Sequence, residues 1–219
     1  LSAGFDAELR RRFCGVHFFN PPRYMHLVEL IPTAQTDAAI LDRLETFLTT
    51  TLGKGVVRAK DTPNFVANRV GVFSILAVIK EGEKFGLGFD VIDDLTGSKL
   101  GRAKSATFRT SDVVGLDTMA HVIKTMQDTL PADKDPFAAL YATPPVLATL
   151  VANGALGQKS GAGFYKKVGR DILKFDPAKG DYVPGGGKAD EIEMRMLKKP
   201  AAERFKLLRE SSNPQAQFL

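Results

Sequence analysis

The apolar run between Phe65 and Ile79 limits the possible folds of this chain more than any other feature. Its large apolar side chains do not lie on one stripe of a helix but surround the axis; they are Phe65, Val66, Val70, Phe73, Ile75, Leu76, Val78 and Ile79. A helix that is apolar nearly all round belongs in the interior of a helical domain. Thr62 can cap this helix with Pro63 at its first position, so the helix is expected to begin there.

The same run excludes a membrane-spanning helix. Its uncharged part extends only from Val70 to Ile79, whereas a helix that crosses a bilayer needs about 20 apolar residues. Hydrophobic residues make up 44% of the chain and charged residues 25%, which is the usual balance of a folded globular protein. General disorder is therefore excluded as well.

The residues before the long helix predict the end of an α/β sheet. Short strands are expected at 13–19 and 25–31, with two prolines in the loop between them. An amphipathic helix from about Asp37 to Leu52 follows, and then a third short strand at 55–59. This order is typical of the last part of such a sheet, and three short strands are too few for a domain of their own.

The second half of the chain is predicted to be mainly helical. Shorter helices are expected at about 91–96, 111–129 and 144–153, and a glycine-rich turn at 159–165. Residues 176–188 contain two prolines and four glycines, a composition typical of an exposed loop or linker. Residues 189–210 are charged and periodic, which indicates one or two surface helices.

Charge and cysteine content narrow the function classes. The chain has 30 Lys and Arg against 25 Asp and Glu, and this net charge of +5 favours an anionic ligand. Nucleic-acid binding is not expected, because the basic residues are scattered and no zinc-finger or aromatic–glycine pattern accompanies them. Cys14 is the only cysteine, so no internal disulfide can form, and a reducing, cytoplasmic location is expected. No spacing typical of metal ligands occurs.

His17 and Glu29 are the strongest candidates for chemistry. If the first two strands pair antiparallel around a turn near Arg23, His17 lies directly opposite Glu29. A carboxylate there can accept a hydrogen bond from one imidazole nitrogen and raise the basicity of the other, which is the arrangement of a general base. From the local pattern alone, a histidine bonded within the sheet and a glutamate facing solvent remain an alternative.

Asn68 is the next candidate, two turns into the predicted long helix. Asparagine is a weak helix former, and apolar residues surround this one, so it is expected to be buried or nearly so. Its amide could donate to a carbonyl or to a developing alkoxide, or it could simply join the helix to a neighbouring loop. Lys159, in the glycine-rich turn, could contact a phosphate or stay solvated.

A phosphate-binding turn for a dinucleotide is absent from the sequence. The glycine pairs at 53/55, 86/88 and 161/163 lack the third glycine of Gly-x-Gly-x-x-Gly and the strand before it. Any dinucleotide that this system uses is therefore expected to have its phosphates bound by residues outside this chain.

Four motifs closely resemble those of the 3-hydroxyacyl-CoA dehydrogenase family, in the family's order and over about residues 9–167. They are Gly15-Val16-His17-Phe18-Phe19-Asn20-Pro21 with Leu27-Val28-Glu29, then Lys60-Asp61-Thr62-Pro63-Asn64-Phe65-Val66-Ala67-Asn68-Arg69, then Gly115-Leu116-Asp117-Thr118, and Lys159-Ser160-Gly161-Ala162-Gly163-Phe164-Tyr165. The family's usual glycine before Phe65 is Asn64 here. The family's catalytic serine lies upstream of the histidine, and we do not assign it to Ser2.

The resemblance implies an NAD-dependent enzyme that oxidises the 3-hydroxyl of an L-3-hydroxyacyl-CoA to a ketone in fatty-acid β-oxidation. By motif position, it implies that His17 is the general base, Glu29 its carboxylate partner and Asn68 the amide that orients the substrate and His17. It also implies that Asn20 lies near the nicotinamide and that Lys159 approaches the cofactor or the mouth of the site.

The fold class expected from the resemblance is mainly α. It is a helical C-terminal domain preceded by the last β-strands and one helix of a Rossmann α/β domain. We expect residues 1–61 to be a remnant of the NAD-binding domain and 62–167 the helical substrate-binding and dimerisation domain. Residues 168–219 are expected to form a linker and surface helices that lead to a missing downstream region. NAD would then be bound mainly by a missing upstream domain, the protein would be a homodimer, and these residues alone would be inactive.

Two alternatives belong to different function classes. The region could be a non-catalytic helical dimerisation module, which would not need His17, Glu29 and Asn68 to converge. It could also belong to a related dehydrogenase of small free hydroxy acids, since such enzymes share Asn-Pro-Pro and Leu-Val-Glu. Phe18 and Phe19 after the histidine favour the acyl-CoA branch.

Overall fold

The computed structural model describes residues 1–130, 132–133 and 135–219 of the chain. These residues divide into two compact units, Leu1–Val70 and Gly71–Leu219. Among the described residues, no helix combines the length and the apolar character needed to cross a bilayer.

The first unit contains a three-stranded sheet in the order β1-β2-β3. Its elements are α1 (Ala7–Arg12), β1 (Cys14–Phe18), β2 (Leu27–Pro32), α2 (Ala38–Thr50) and β3 (Gly55–Arg58). Strand β1 is antiparallel to β2, and β3 is parallel to β2, so α2 forms the crossover that parallel strands require. The expected strands and the intervening helix are confirmed, with ends shifted by one or two residues.

Apolar side chains hold α2 against this sheet. Val28 and Leu30 of β2 are fully buried and form a small core with Leu48 of α2, while Leu44 and Val56 pack at its margin. The carboxylate of the N-cap residue of α2 accepts the Ala39 N–H at 3.0 Å, which supplies one of the hydrogen bonds that a helix start lacks. The sheet thus has a covered face and a defined strand register.

The long helix α3 (Ala67–Lys84) begins four residues later than predicted. Pro63 lies in a tight turn instead, because the next two residues, Asn64 and Phe65, have φ angles of +59° and +53°. These left-handed conformations cannot continue a right-handed helix. The predicted cap by Thr62 is therefore wrong.

The second unit is a helical bundle around the C-terminal part of α3. Its other helices are α4 (Phe89–Thr96), α5 (Phe108–Val114), α6 (Leu116–Thr129), α7 (Pro145–Ala152), α8 (Glu191–Met196), α9 (Ala201–Glu210) and α10 (Pro214–Phe218). Val72, Leu76 and Ile79 of α3 are buried in the main core, but Val70 is 62% exposed. The helix predicted at 111–129 is two helices, because Gly115 with φ +101° separates α5 from α6.

A second three-stranded sheet follows the helices. Its strands β4 (Tyr165–Val168), β5 (Asp171–Asp176) and β6 (Asp181–Pro184) form an antiparallel meander. The prediction of an exposed loop over 176–188 is therefore wrong in part. The strands that flank Asp176–Asp181 pair in register, and the rings of Phe175 and Tyr182 pack 5.5 Å apart across β5 and β6.

Three carboxylates of α4 bind backbone amides from other segments of the second unit. All three side chains accept N–H groups, and two of the three residues are buried. The contacts are Asp90 to Gly187, Asp93 to residues 107–109, and Asp94 to Ala189. Helices α8 to α10 also cover Leu95 of α4 with an apolar cluster of their own.

The expected fold class, mainly α with only the last strands and one helix of a Rossmann domain, is wrong. The described residues carry two three-stranded sheets, one in each unit, and the first unit has its own sheet, crossover helix and core. The second sheet was not predicted, because its strands are short and rich in charged residues and the turns between them contain glycine. The division at 61/62 and 167/168 stays a prediction.

Candidate active site

His17 and Glu29 form a hydrogen-bonded pair across β1 and β2. The predicted register is confirmed, since His17 is the pairing partner of Glu29 in the antiparallel ladder. Their side chains lie on the same face, with His17 Nδ1 2.7 Å from Glu29 Oε2. The Glu29 side chain is completely buried, whereas the His17 side chain remains 31% exposed. The alternative in which Glu29 faces solvent is thereby excluded.

The other oxygen of Glu29 accepts two backbone hydrogen bonds from the start of α3. Val66 N–H and Ala67 N–H donate to Oε1 at 3.0 and 2.8 Å. Free N–H groups and the helix dipole both favour a negative charge at this end of a helix. The Glu29 carboxylate, rather than Thr62, therefore accepts the free N–H groups at the start of α3.

This set of donors determines the tautomer of His17. An ionised carboxylate has no proton to give, so the Nδ1 of His17 is the donor in its contact with Glu29. The lone pair of the neutral imidazole is then on Nε2. Nε2 can accept a proton, and the imidazolium that forms would stay beside the buried negative charge of Glu29.

Aromatic rings surround the imidazole. The ring centroid of His17 lies 4.6 Å from that of Phe19 and 5.5 Å from that of Phe65. Both phenylalanines are partly buried, and the His17 side chain between them stays 31% exposed. An apolar surface of this kind reduces competition from water for a proton transfer.

Asn68 and Asn20 lie close in sequence to this pair, but the structure does not join them to it. Asn68 is partly buried in the first turn of α3, directly after the Ala67 amide that Glu29 binds. Over the described residues, no hydrogen bond connects its amide to His17 or Glu29. Asn20 is exposed just beyond the end of β1. The roles assigned to both by the resemblance stay predictions.

Lys159 belongs to the second unit, where it forms an ion pair. Its Nζ donates to Asp117 Oδ2 at 2.6 Å, with about half of each side chain exposed. This hydrogen bond holds the pKa of the Asp117 carboxyl below its usual range. Two of the family-like motifs, at 115–118 and 159–165, therefore meet through this pair.

Two buried carboxylates of the second unit were missed by sequence reasoning. Asp112 accepts the Phe164 and Tyr165 N–H groups at 2.8 and 2.9 Å, and burial raises its pKa to about 6. Asp93 accepts amides at the start of α5 and the Tyr165 hydroxyl at 2.9 Å. Both hold the glycine-rich turn in place, and in sequence they look like ordinary surface charges.

Metal chemistry has no obvious centre in the described parts of the chain. There, no group of three or more His, Cys, Asp or Glu side chains is placed to hold an ion. The polar groups that converge in the first unit are an imidazole, a carboxylate and two amides, which suits proton transfer rather than ion binding.

Two family models match the chain. The model of the 3-hydroxyacyl-CoA dehydrogenase NAD-binding domain matches residues 4–62, and the model of the C-terminal domain of the same enzymes matches residues 65–167. The first match overturns the expected fold class, because residues 4–62 belong to an NAD-binding domain. It supports NAD as the cofactor, but it gives no support to the expectation that a missing domain binds NAD.

Known proteins agree with these matches. A probable 3-hydroxyacyl-CoA dehydrogenase from Deinococcus radiodurans is 49% identical over 165 residues, which are 75% of this chain and 46% of that protein. One from Bacillus subtilis is 41% identical over 206 residues, 94% of this chain and 25% of that protein. The crystal structure of FadB2 from M. tuberculosis aligns with a TM-score of 0.57 and 38% identity, over 72% of this chain and 53% of that one.

The chain therefore spans about half or less of the length of the relatives that it matches. Within that span the two family models cover residues 4–62 and 65–167, and they include both strands of the His17–Glu29 pair. The chain belongs to the 3-hydroxyacyl-CoA dehydrogenase family.

Proposed function

We propose that the protein is an NAD-dependent dehydrogenase that oxidises the 3-hydroxyl of an L-3-hydroxyacyl-CoA to the 3-ketone. The observation that carries this proposal is the buried Glu29 carboxylate, whose Oε2 lies 2.7 Å from His17 Nδ1. Membership of the family supplies the reaction class and the acyl-CoA substrate.

The chain's own residues would handle the proton. His17 Nε2 would take the hydroxyl proton of the substrate, and Glu29 would stabilise the imidazolium that results. When bound, NAD supplies the acceptor for the hydride that leaves C3. Asn68 would orient the substrate oxygen, Asn20 would lie near the nicotinamide, and Lys159 would approach the cofactor or the mouth of the site.

The residues around His17 fit a nicotinamide ring as a neighbour. The imidazole is 31% exposed, two phenylalanine rings flank it, and the exposed residue Asn20 follows three residues after it. An apolar wall with few polar groups is typical of a site that binds a flat cofactor ring. The residues around His17 would therefore contact the nicotinamide end of the cofactor.

Setting and assembly are further parts of the proposal. We infer a place in fatty-acid β-oxidation from the acyl-CoA branch that Phe18 and Phe19 favour. A cytoplasmic location is supported by the single cysteine, which has no partner for an internal disulfide. A homodimer is supported by apolar residues left more than half exposed on α5, Val113 at 59% and Val114 at 55%.

A kinetic comparison in the full-length protein tests the function. His17→Ala should lower the rate of acetoacetyl-CoA reduction by NADH more than about a hundredfold, the range expected for loss of a general base. His121→Ala is the matched control, since His121 is exposed on α6, and its rate should stay within about twofold of the parent's. An unchanged rate in His17→Ala would refute the assignment of the base.

The same assay separates the alternatives. A full-length protein that reduces free 3-keto acids but not acetoacetyl-CoA would belong to the dehydrogenases of small hydroxy acids. A protein inactive on both would be the helical dimerisation module, which gives no reason for a buried carboxylate to hold an imidazole. No finding supports the expectation that these 219 residues are inactive alone, and assaying them directly decides it.

A further inference from the structure

We propose that Asn64 is a positioning residue for the His17–Glu29 pair, acting through its backbone conformation. It would not touch the substrate; it would set the start of α3 so that two amides remain free to hold Glu29. The inference rests on the proposed function, in which His17 is the base.

The backbone around Asn64 is unusual. Asn64 and Phe65 have φ of +59° and +53°, a region that residues with a side chain rarely adopt. Asparagine tolerates it best among them, whereas a bulky residue such as phenylalanine does so rarely. Conformations of this kind persist only where the surroundings impose them, and they cluster at functional sites.

A tight turn precedes the helix. Phe65 N–H donates to the Thr62 carbonyl oxygen at 3.0 Å, with Pro63 and Asn64 as the two central residues. Proline at the second position and a positive φ at the third are the pattern of a type II turn. The left-handed residues of this turn cannot be part of a right-handed helix, so α3 begins only at Ala67.

The delayed start determines which hydrogen bonds Glu29 receives. In a helix that began at Pro63, the Val66 N–H would bond to the Thr62 carbonyl and the Ala67 N–H to the Pro63 carbonyl. Because the helix begins later, both amides are free and donate to Glu29 Oε1 at 3.0 and 2.8 Å. The left-handed turn thus supplies two of the three donors that hold this carboxylate.

These two bonds determine where the other oxygen of Glu29 lies. With Oε1 held by Val66 and Ala67, Oε2 has one orientation, and it meets His17 Nδ1 at 2.7 Å. The same turn places the Phe65 ring 5.5 Å from the imidazole. A change in the turn should therefore alter the tautomer and position of His17 more than the binding of substrate.

Three variants of the full-length protein test the inference. Asn64→Gly keeps the positive φ at no steric cost, so kcat should stay within about twofold of the parent's. Asn64→Val places a β-branched side chain in that region, so kcat should fall about tenfold or more while the KM for acetoacetyl-CoA changes less than about threefold. Asn153→Val is the control, at an exposed asparagine with φ −83°, and should leave kcat unchanged.

The tautomer of His17 gives a readout that does not require turnover. Side-chain nitrogen NMR should find the proton on Nδ1 in the parent and in Asn64→Gly, and a mixture of the Nδ1 and Nε2 tautomers in Asn64→Val. If Asn64→Val does not fold, Asn64→Ala is measured in its place and should show the same changes in smaller degree.

The outcomes separate this inference from the proposed function. Parent-like kcat and tautomer in the folded valine or alanine variant would overturn the inference, and so would a loss in Asn64→Gly as large as in Asn64→Val. A lowered kcat with the parent's tautomer would also overturn it, because the turn would not then act through Glu29. If the parent is inactive but Asn64→Val still changes the tautomer of His17, the proposed function would be refuted and the positioning role of Asn64 would stand.

Discussion

Replacing Glu29 with glutamine should prevent His17 from acting as a base while the protein still folds. The carboxylate accepts three hydrogen bonds, from His17 Nδ1 and from the Val66 and Ala67 amides. A glutamine side chain has one accepting oxygen and one donating NH₂ group. If its oxygen stays with the two amides, its NH₂ group faces Nδ1 of His17. Nδ1 must then accept, and the imidazole proton moves to Nε2, where the substrate's proton would have to go.

The expected loss of rate is large. A positioned general base contributes about 10²–10⁴-fold, and the wrong tautomer forfeits most of it. We expect kcat/KM to fall about a thousandfold, or roughly 4 kcal/mol of transition-state stabilisation. The free energy of unfolding should change less, because the lost charge-assisted hydrogen bond, about 1.5–3 kcal/mol, is partly offset by removing a buried charge. The variant should therefore be folded and inactive.

A double-mutant cycle shows whether the two residues act as a unit. Rates of acetoacetyl-CoA reduction are measured for Glu29→Gln, His17→Ala and the double variant, with folding checked by urea denaturation. If Glu29 acts through His17, the double variant loses no more than His17→Ala alone. Glu45→Gln, at an exposed ion pair with Arg58, is the control and should keep its rate within about twofold. Losses that multiply, or a Glu29→Gln rate within tenfold of the parent's, would refute the reasoning.

Three further predictions concern the second unit. The pKa of Asp112, near 6 in the fold and near 4 when unfolded, means that the folded state holds this proton more tightly. The stabilisation is complete below about pH 4 and is lost as pH rises through 6, so urea unfolding should find the parent losing up to about 3 kcal/mol relative to Asp112→Asn between pH 4 and 7; a constant difference contradicts this. Gly157→Ala would put a Cβ against the Asp112 backbone at φ +99°, and should lower the free energy of unfolding by about 2 kcal/mol or more. Gly154→Ala, with a positive φ but open space, should cost about 1 kcal/mol, and equal thermal shifts would exclude a steric cause. Lys159→Met should change stability by less than about 1 kcal/mol, because its ion pair is exposed, and should raise the KM for NADH if Lys159 contacts the cofactor; an unchanged KM argues against that contact.

The contact at the centre of the site could be predicted because it depends on a short-range rule. Two antiparallel strands pair symmetrically about the loop that joins them, and a turn near Arg23 places His17 opposite Glu29. The helix α2 was predictable because its apolar side chains recur at helical spacing and Gly53 follows its end, and the third strand was predictable as the short apolar run that comes next.

The features that could not be predicted from the sequence depend on contacts between distant parts of the chain. Thr62 and Pro63 form a good helix start in isolation, but the amides three and four residues after Pro63 are bound by Glu29, which no local pattern reveals. The carboxylates of Asp93 and Asp112 look like surface charges, because their amide partners come from segments 14 and 52 residues away. Strands β4 to β6 lack an apolar alternation strong enough to outweigh their glycine turns.

The carboxylates of α4 make the order of folding in the second unit depend on distant partners. Asp90 and Asp94 receive amides from Gly187 and Ala189, which are 97 and 95 residues away in the chain. Closing loops of that length is entropically unfavourable. The hydrogen bonds to Asp90 and Asp94 can offset this cost only after α4 has formed and holds both carboxylates in place. The last stretch of the chain should thus dock after the bundle has condensed and detach before it melts, and its amide hydrogens should exchange with solvent sooner than those of α6.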